Sequence, residues 1–328
     1  MNDCEQHIMK LQSNGALMSA SSQADLVLAQ KGKTFHWARH LMGSLHASRA
    51  TRLYRFCRYI DDLADESSSP AVGNAALLLA AQDISGGMSA HPVIQDGIDL
   101  MRECGIERAI VLELISGVAS DLGVVLVTDE NALLRYCYQV AGTVGLMMCR
   151  VLDTQNPSAL PHAVDLGIAM QLTNICRDIA ADAQVGRRYV PQSMLGELAP
   201  QALICPAESL RPAVRRCVAT LLDRADMYYR SAELGLPYLP LGARSGILVA
   251  ARTYQAIGAQ LRQRDYAYWT GRAIVSKPRK AAVTLRALLT VPLQRAFWRS
   301  PRMHDATLHT PLDGLMCFGH FPNPDHGL

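Results

Sequence analysis

The sequence predicts an all-α protein, a single domain of helices packed around a central cavity. Hydrophobic residues make up 49% of the 328 residues, which is enough for a substantial core, whereas aromatic residues make up only 6%. Alanine, leucine and methionine are common, and they favour helix over sheet. Runs of Val, Ile and Thr that alternate with polar residues, which are typical of strands, are almost absent.

The order of the elements follows from capping residues, helix breakers and apolar periodicity. Residues 1–23 are polar and rich in Ser and Asn, so we expect a flexible N-terminus. The helical domain is predicted over 24–299, with helices at 25–42, 46–66, 71–82, 92–104, 107–122, 129–152, from 161 onward, and at 212–234, 244–273 and 278–298. The proline-rich segment 191–212 is predicted to be a loop with short turns. Residues 300–328 contain several prolines and lack periodicity, so we expect a disordered tail.

Charge and cysteine content exclude several classes of protein. A net charge of +3 gives no case for nucleic acid as the main partner. The nine cysteines are scattered without a CxxC pair, which fits a reducing compartment. The N-terminus lacks a signal-peptide pattern, and no apolar run reaches the roughly 18 residues that a spanning helix needs. We therefore expect a cytoplasmic protein, and contact with the inner face of a membrane stays open.

An acidic stripe is predicted on one helix in the second half of the chain. Asn174, Asp178 and Asp182 follow one another at intervals of four, so they share a helix face, and Gln171 extends that face by one turn. Carboxylates one turn apart repel each other unless a cation lies between them. Mg²⁺ binds carboxylate oxygens together with substrate phosphates. The stripe suggests a magnesium site facing a phosphate, although for a single stripe a solvated helix face is the more common explanation.

A second acidic stripe favours the magnesium site over a solvated helix face. Asp61 and Asp65 are again four residues apart, and Arg58 lies one turn before Asp61. Two acidic stripes that face each other across a bundle would hold several divalent cations and, with them, a diphosphate. The basic pair Arg187–Arg188 follows the other stripe and is a source of fixed positive charge. The predicted metal ligands are Asp61, Asp65, Asn174, Asp178 and Asp182.

Three sequence blocks resemble a known family. LYRFCRYIDDLAD (53–65), YCYQVAGTVG (136–145) and QLTNICRDIAADAQVGRRYVP (171–191) are similar, in order and spacing, to signature blocks of the squalene/phytoene synthase family, and most of all to its bacterial phytoene-forming members. The resemblance covers about 29–288. It implies an isoprenoid-synthase helical bundle and a prenyltransferase of carotenoid biosynthesis. Such an enzyme joins two geranylgeranyl diphosphates head to head, through prephytoene diphosphate, to phytoene.

The resemblance also implies roles for single residues. The four aspartates of the stripes and Tyr136 would be catalytic, the aspartates through Mg²⁺, with Mn²⁺ as the alternative ion and without NADPH. Gly142 and Gly145 each cost a helix interior about 1 kcal/mol relative to alanine, which predicts a bend or the close approach of a ligand or another helix. The expected substrate contacts are Arg58, Gln171, Asn174, Arg187, Tyr189, Lys33, Phe35, Tyr54, Gly142 and Gly145. The expected partners are prenyl diphosphates and a downstream desaturase. The prenyl tails would need an apolar channel beneath the metals.

Several alternatives stay open at this level. Arg39 stands where the family has a smaller or apolar residue, so the length of the prenyl chain is less fixed than the reaction. A C30 enzyme that uses farnesyl diphosphate and resembles dehydrosqualene, hydroxysqualene or squalene synthases is the nearest alternative. A non-catalytic relative that acts as an assembly subunit is another, although both acidic stripes are intact. A terpene cyclase or head-to-tail synthase would share the fold but not the YCYQVAGTVG block.

Overall fold

Helices and connecting turns build the part of the chain that the computed structural model describes, residues 41–154, 156–299 and 303–315. In chain order the α-helices are α1 (Ser44–Asp65), α2 (Pro70–Gly86), α3 (Pro92–Cys104), α4 (Arg108–Ala119), α5 (Glu130–Cys137), α6 (Thr143–Val151), α7 (Ala159–Gln184), α8 (Gln192–Leu195), α9 (Arg211–Leu234), α10 (Leu241–Gln263), α11 (Lys277–Thr290) and α12 (Arg295–Trp298). Within these ranges no strand forms, and an isolated bridge joins Leu126 to Arg188. The predicted all-α class is confirmed. The predicted flexible segment 1–23 and the predicted contacts Lys33 and Phe35 lie outside the described residues.

Helix α7 is the central element of the bundle, since it packs on α6, α9 and α10. Its apolar face is buried as the sequence predicts, at Leu172, Ile175, Cys176 and Ile179. The polar face of α7 is thereby turned toward α1, whose own apolar face buries Phe56 and Ile60. None of the described helices is both long enough and apolar enough to cross a membrane.

Helix α1 approaches α3 closely because α3 has a glycine at the contact. A Cβ atom on Gly97 would lie 2.2 Å from the ring of Phe56, so only glycine leaves room for this ring. Phe56 is 2% exposed. The packing fixes the rotation of α1, and with it the direction of the acidic stripe on the opposite side.

The helix predicted over 129–152 is interrupted, because residues Tyr138–Gly142 form a π-helix between α5 and α6. The widened turn lies against α7, and the contact is as tight as backbones allow. A Cβ atom on Gly145 would lie 2.2 Å from the carbonyl oxygen of Ala163, and one on Gly167 would lie 2.2 Å from that of Ala141. Gly145 therefore allows the close approach of another helix, which is one of the outcomes that the sequence predicts, and Gly142 is the last residue of the π-helix.

The prediction of a disordered tail over 300–328 is wrong for residues 303–315. This segment forms a 3-10 helix at Ala306–Leu312 and docks on α5 and α9. The Tyr228 hydroxyl donates to the carbonyl oxygen of Leu308 at 2.7 Å, and Arg135 donates to two further carbonyl oxygens of the segment. Prolines and missing periodicity argue against an α-helix, but they do not prevent a short segment from burying its apolar side chains against distant helices.

Candidate active site

The two acidic stripes meet. Asp61 and Asp65 on α1 and Asp178 and Asp182 on α7 line one cavity of about 280 Å³. The predicted positions that share this cavity are Arg58, Tyr136, Gln171, Asn174, Arg187 and Tyr189. Residues far apart along the chain thus form one polar pocket, because both apolar helix faces are buried in the core behind it.

An apolar channel of about 520 Å³ continues from the polar pocket. Both cavities are lined by Arg58, Asp61, Asn174 and Asp178, so they adjoin along this shared wall. The channel wall includes Tyr54, Val144, Gly145, Met148, Leu166, Met170, Leu236 and Ile247. Its lining on α7 runs from Ala159 to Asp178, a rise of about 28 Å at 1.5 Å per residue. Gly142 is buried against Tyr138 and Val164 and does not line the channel, whereas Tyr54 and Gly145 do.

Two arginines hold the carboxylate of Asp178. Arg177 donates from Nε to Oδ1 at 2.9 Å, and Arg272 donates from Nε to Oδ1 at 2.7 Å and from Nη2 to Oδ2 at 3.0 Å. Burial alone would raise the pKa of Asp178, but the hydrogen bonds from the two guanidinium groups outweigh it and hold the pKa below its ordinary value. Asp178 is therefore ionised at neutral pH.

Arg272 is a site residue that the sequence does not reveal. The helix predicted over 244–273 ends at Gln263, because Asp265 and Tyr266 take up left-handed backbone with φ of 51° and 58°. The chain then turns back and carries Arg272 to α7. No helical spacing links this position to the stripes, and the only available signal is a basic residue in a loop.

The basic pair that follows α7 divides into two roles. Arg187 donates to Asp65 Oδ1 at 2.8 Å and so connects the segment after α7 to α1. Arg188 is 1% exposed and donates to the carbonyl oxygens of four nearby residues, Val190, Pro191, Gly196 and Leu198. Arg188 stabilises the loop, whereas Arg187 supplies charge to the pocket.

Asp121 is a second residue missed in the sequence. It lies in the 3-10 turn Ser120–Leu122 after α4, where its two carboxylate oxygens accept hydrogen bonds from Tyr136 at 2.9 Å and from Tyr189 at 2.7 Å. The two tyrosine rings stack with centroids 4.8 Å apart. Burial raises the pKa of each tyrosine and of Asp121. The signal in the sequence is weak, since Asp121 is one of two charged residues, with Glu113, in the largely apolar run 109–127.

The surroundings of Asp61 and Asp182 oppose the ionisation of both carboxyl groups. Burial raises the pKa of Asp61 to about 7, against the opposing effect of Arg58, and the neighbouring carboxylates add to the rise. Burial and the charge of Asp178 raise the pKa of Asp182 to about 7 as well. A divalent cation beside these groups would relieve both the desolvation and the repulsion.

The donor set fits Mg²⁺. Asn174 Oδ1 is buried and has no hydrogen-bond partner among the described residues, and it lies in the same pocket as Asp61 and Asp182. Carboxylate and amide oxygens are hard ligands of the kind that Mg²⁺ takes. The carboxylates do not converge on a single point, since arginines hold Asp65 and Asp178. That suits an ion that binds one or two carboxylates and completes its shell with water and phosphate oxygens.

Comparison with known proteins identifies the family. The family model described as squalene/phytoene synthase matches residues 28–279. The chain belongs to the squalene/phytoene synthase family. The phytoene synthase of Rhodobacter capsulatus is 33% identical over 277 residues, which cover 83% of this chain and 81% of that protein. The 15-cis-phytoene synthase of Enterobacter agglomerans is 32% identical over 286 residues, which cover 83% of this chain and 96% of that protein.

Solved structures of this family share the fold. A dehydrosqualene synthase crystallised with a ligand superimposes with a TM-score of 0.74 at 25% identity and covers 83% of this chain and 96% of its own. A squalene synthase from Alicyclobacillus acidocaldarius superimposes with a TM-score of 0.65 at 20% identity, over 75% of this chain and 94% of its own. The predicted family, the isoprenoid-synthase bundle and the prenyltransferase class are confirmed.

Proposed function

We propose that this protein condenses two molecules of geranylgeranyl diphosphate head to head, through prephytoene diphosphate, to phytoene, with release of diphosphate. The observation that carries the proposal is the junction of an acidic pocket with an apolar channel. A diphosphate would bind in the pocket, and a prenyl tail would lie in the channel. The relatives named phytoene synthase support the C40 product.

Ionisation of the C1–O bond requires that charge on the departing diphosphate is stabilised. Bound Mg²⁺, with Mn²⁺ as the alternative, would supply that stabilisation, held by Asp61, Asp65, Asn174, Asp178 and Asp182. Fixed positive charge lies beside the carboxylate oxygens of Asp65 and Asp178, from Arg58, Arg187 and Arg272. The carboxylates would orient and hold the metal ions, and the guanidinium groups would neutralise the charge of the departing diphosphate.

The allylic cation that remains must be kept from water. Apolar side chains along α6 and α7 line the channel and exclude water from the reacting carbons. Tyr136 is fixed at the wall of the pocket by its hydrogen bond to Asp121, so its aromatic ring can stabilise positive charge nearby. Because burial raises its pKa well above the ordinary value, Tyr136 stays protonated at neutral pH and acts as a hydrogen-bond donor, not as a base.

A product assay tests the proposal. The protein is incubated with Mg²⁺ and either geranylgeranyl or farnesyl diphosphate, and the hydrocarbon is identified by chromatography and mass spectrometry. We expect phytoene from the first substrate. A C30 product formed preferentially from the second would favour the dehydrosqualene-type alternative, and no product from either would favour a non-catalytic relative.

Two variants test the pocket. Asp61→Ala and Asp178→Ala are expected to abolish turnover while the helical circular dichroism spectrum stays unchanged. Asp99→Asn is the matched control, since Asp99 is 51% exposed and pairs with Arg102 on the surface. Retained product formation in either pocket variant would contradict the role of the acidic stripes. Peripheral contact with the inner face of a membrane, a cytoplasmic location and transfer of phytoene to a downstream desaturase stay predictions.

A further inference from the structure

A second group of metal-ligating side chains lies on α7, at the other end from the acidic pocket. His162 and Asp165 are one turn apart on α7, and His304 and His309 reach them from the docked segment 303–315. The distance along α7 from Asp178 to His162 is about 24 Å at 1.5 Å per residue, so this group is separate from the diphosphate pocket.

The carboxylate of Asp165 is at the centre of the group. Asp165 is 0% exposed, and His162 and His309 are 3% and 5% exposed. His304 Nε2 lies 2.8 Å from Oδ2 and His309 Nε2 lies 2.7 Å from Oδ1. The Ser231 hydroxyl also donates to Oδ2. A carboxylate without solvent contact is normally paired with positive charge or bound to a metal.

The spacing of the donor atoms suits a small ion. One donor atom each from His162, Asp165 and His304 lies within 4.8 Å of the other two. In a tetrahedral zinc site the ligand atoms are about 2.1 Å from the ion, and hence about 3.4 Å from one another. The 2.8 Å between His304 and Asp165 and the 4.8 Å limit lie on either side of that value, so the donor atoms would need to shift by no more than about 1.4 Å relative to one another to surround an ion.

We propose that His162, Asp165 and His304 bind one Zn²⁺ ion. Two imidazole nitrogens and one carboxylate oxygen form a set that prefers Zn²⁺ over Mg²⁺, in contrast to the all-oxygen pocket at the other end of α7. Ser231 and His309 orient the Asp165 carboxylate by hydrogen bonds, as outer residues do around protein-bound zinc.

The site connects the C-terminal segment to the wall of the substrate channel. His162 lines that channel, and its ring lies 5.1 Å from the ring of His304 between centroids. A bound ion would therefore fix segment 303–315 beneath the end of the channel that is farthest from the diphosphate pocket. This function is structural, and it does not depend on the reaction proposed above.

The test is metal binding by full-length protein without a histidine tag, because a tag binds the same ions. The protein is stripped of metal, saturated with Mg²⁺ to occupy the acidic pocket, and titrated with Zn²⁺ in competition with a chromophoric chelator. We expect one tightly bound Zn²⁺ per chain by elemental analysis. Co²⁺ as a substitute should give the intense visible absorption of a tetrahedral site.

The variants distinguish a metal site from a set of hydrogen bonds. His304→Ala and Asp165→Asn should weaken Zn²⁺ binding at least about 100-fold, and Ser231→Ala about 10-fold. His46→Ala is the matched control, since His46 contacts Asp153 at 3.1 Å on the surface and, among the described residues, no second imidazole joins this pair. The Zn²⁺ affinity of this variant should equal that of the wild type.

The proposal is overturned if wild-type protein binds Zn²⁺ no more tightly than His304→Ala, or if bound Co²⁺ shows only the weak absorption of a six-coordinate ion. In that case hydrogen bonds alone join the segment to α7. If Asp165→Asn does not fold, His304→Ala decides, since His304 is partly exposed and belongs to the terminal segment. Thermal unfolding provides an independent measurement: Zn²⁺ should raise the Tm of the wild type and of His46→Ala, but not that of His304→Ala.

Discussion

Protons and Mg²⁺ are expected to compete for Asp61 and Asp182. The pKa of each carboxyl is raised to about 7, first by burial. At pH 8 each group is about nine-tenths ionised, and at pH 6 only about one-tenth. Lowering the pH from 8 to 6 should therefore weaken Mg²⁺ binding about tenfold for each carboxylate that binds the ion. The loss is about 100-fold if both do, or about 2.7 kcal/mol.

Isothermal titration of the apoprotein with Mg²⁺ alone, in several buffers, measures this competition without the protonation of diphosphate itself. At pH 7 about one proton should be released per chain, half from each carboxyl. In Asp61→Asn one of the two groups is removed, so the dependence on pH should fall to about tenfold. An affinity that changes less than threefold between pH 8 and pH 6 in the wild type, or binding without proton release, would refute the reasoning.

The raised pKa values of Asp61 and Asp182 also affect the stability of the fold. A carboxyl whose pKa is higher in the folded than in the unfolded state stabilises the fold at low pH, and this contribution is lost as pH rises through 7. The difference in Tm between apoprotein and Asp61→Asn should accordingly be larger at pH 8 than at pH 6, with the variant the more stable. Saturating Mg²⁺ should reverse the order at pH 8, because the ion then stabilises the ionised wild type.

Three further changes test the packing and the pocket. Gly145→Ala should lower the free energy of unfolding by about 1–3 kcal/mol in urea titrations, because its Cβ would lie 2.2 Å from a backbone oxygen of α7. In the control Gly86→Ala the new Cβ meets no atom within 4 Å, so the free energy of unfolding should change by less than about 1 kcal/mol. Equal effects of the two substitutions would contradict the packing argument. Tyr228→Phe removes a hydrogen bond of 2.7 Å to the docked segment and should destabilise its docking by about 1 kcal/mol, seen as faster limited proteolysis within 303–315 and unchanged helicity. Arg272→Ala should raise the pKa of Asp178 and lower kcat/KM about tenfold, less than the loss of Asp178 itself, and unchanged steady-state kinetics would argue against a role for Arg272.

The sequence predicts the parts of this structure that depend on local spacing. An interval of four puts Asp178 and Asp182 on one helix face, and burial of the apolar residues of α7 in the core turns that acidic face toward α1. The same argument applies to Asp61 and Asp65. Because both helices bury their apolar sides in one bundle, the meeting of the two stripes in a single pocket follows from periodicity and from the predicted fold together.

Periodicity does not predict the residues that turns or distant contacts bring to the site. Asp121 enters the pocket from a 3-10 turn, and Arg272 enters it after a left-handed turn, so neither has a spacing that connects it to a stripe. The tail is misjudged for a related reason. Its docking depends on hydrogen bonds to Tyr228 and Asp165, which lie more than fifty positions earlier in the chain and give no periodic signal.

The arginine–carboxylate pairs of the pocket have a consequence for the order in which it fills. Five carboxylates and three arginines line the cavity, and Arg272 adds a fourth guanidinium at its edge, so the formal charges of these side chains nearly cancel. A cation that enters alone finds Asp65 and Asp178 paired with guanidinium groups, and a polyanion that enters alone meets carboxylates, so we expect each to bind more weakly alone than when the other is present. If magnesium and diphosphate enter together, every pair can exchange partners at once, with the carboxylates binding the metal and the guanidinium groups binding the phosphate. We therefore expect cooperative binding, in which ion and substrate each raise the affinity for the other.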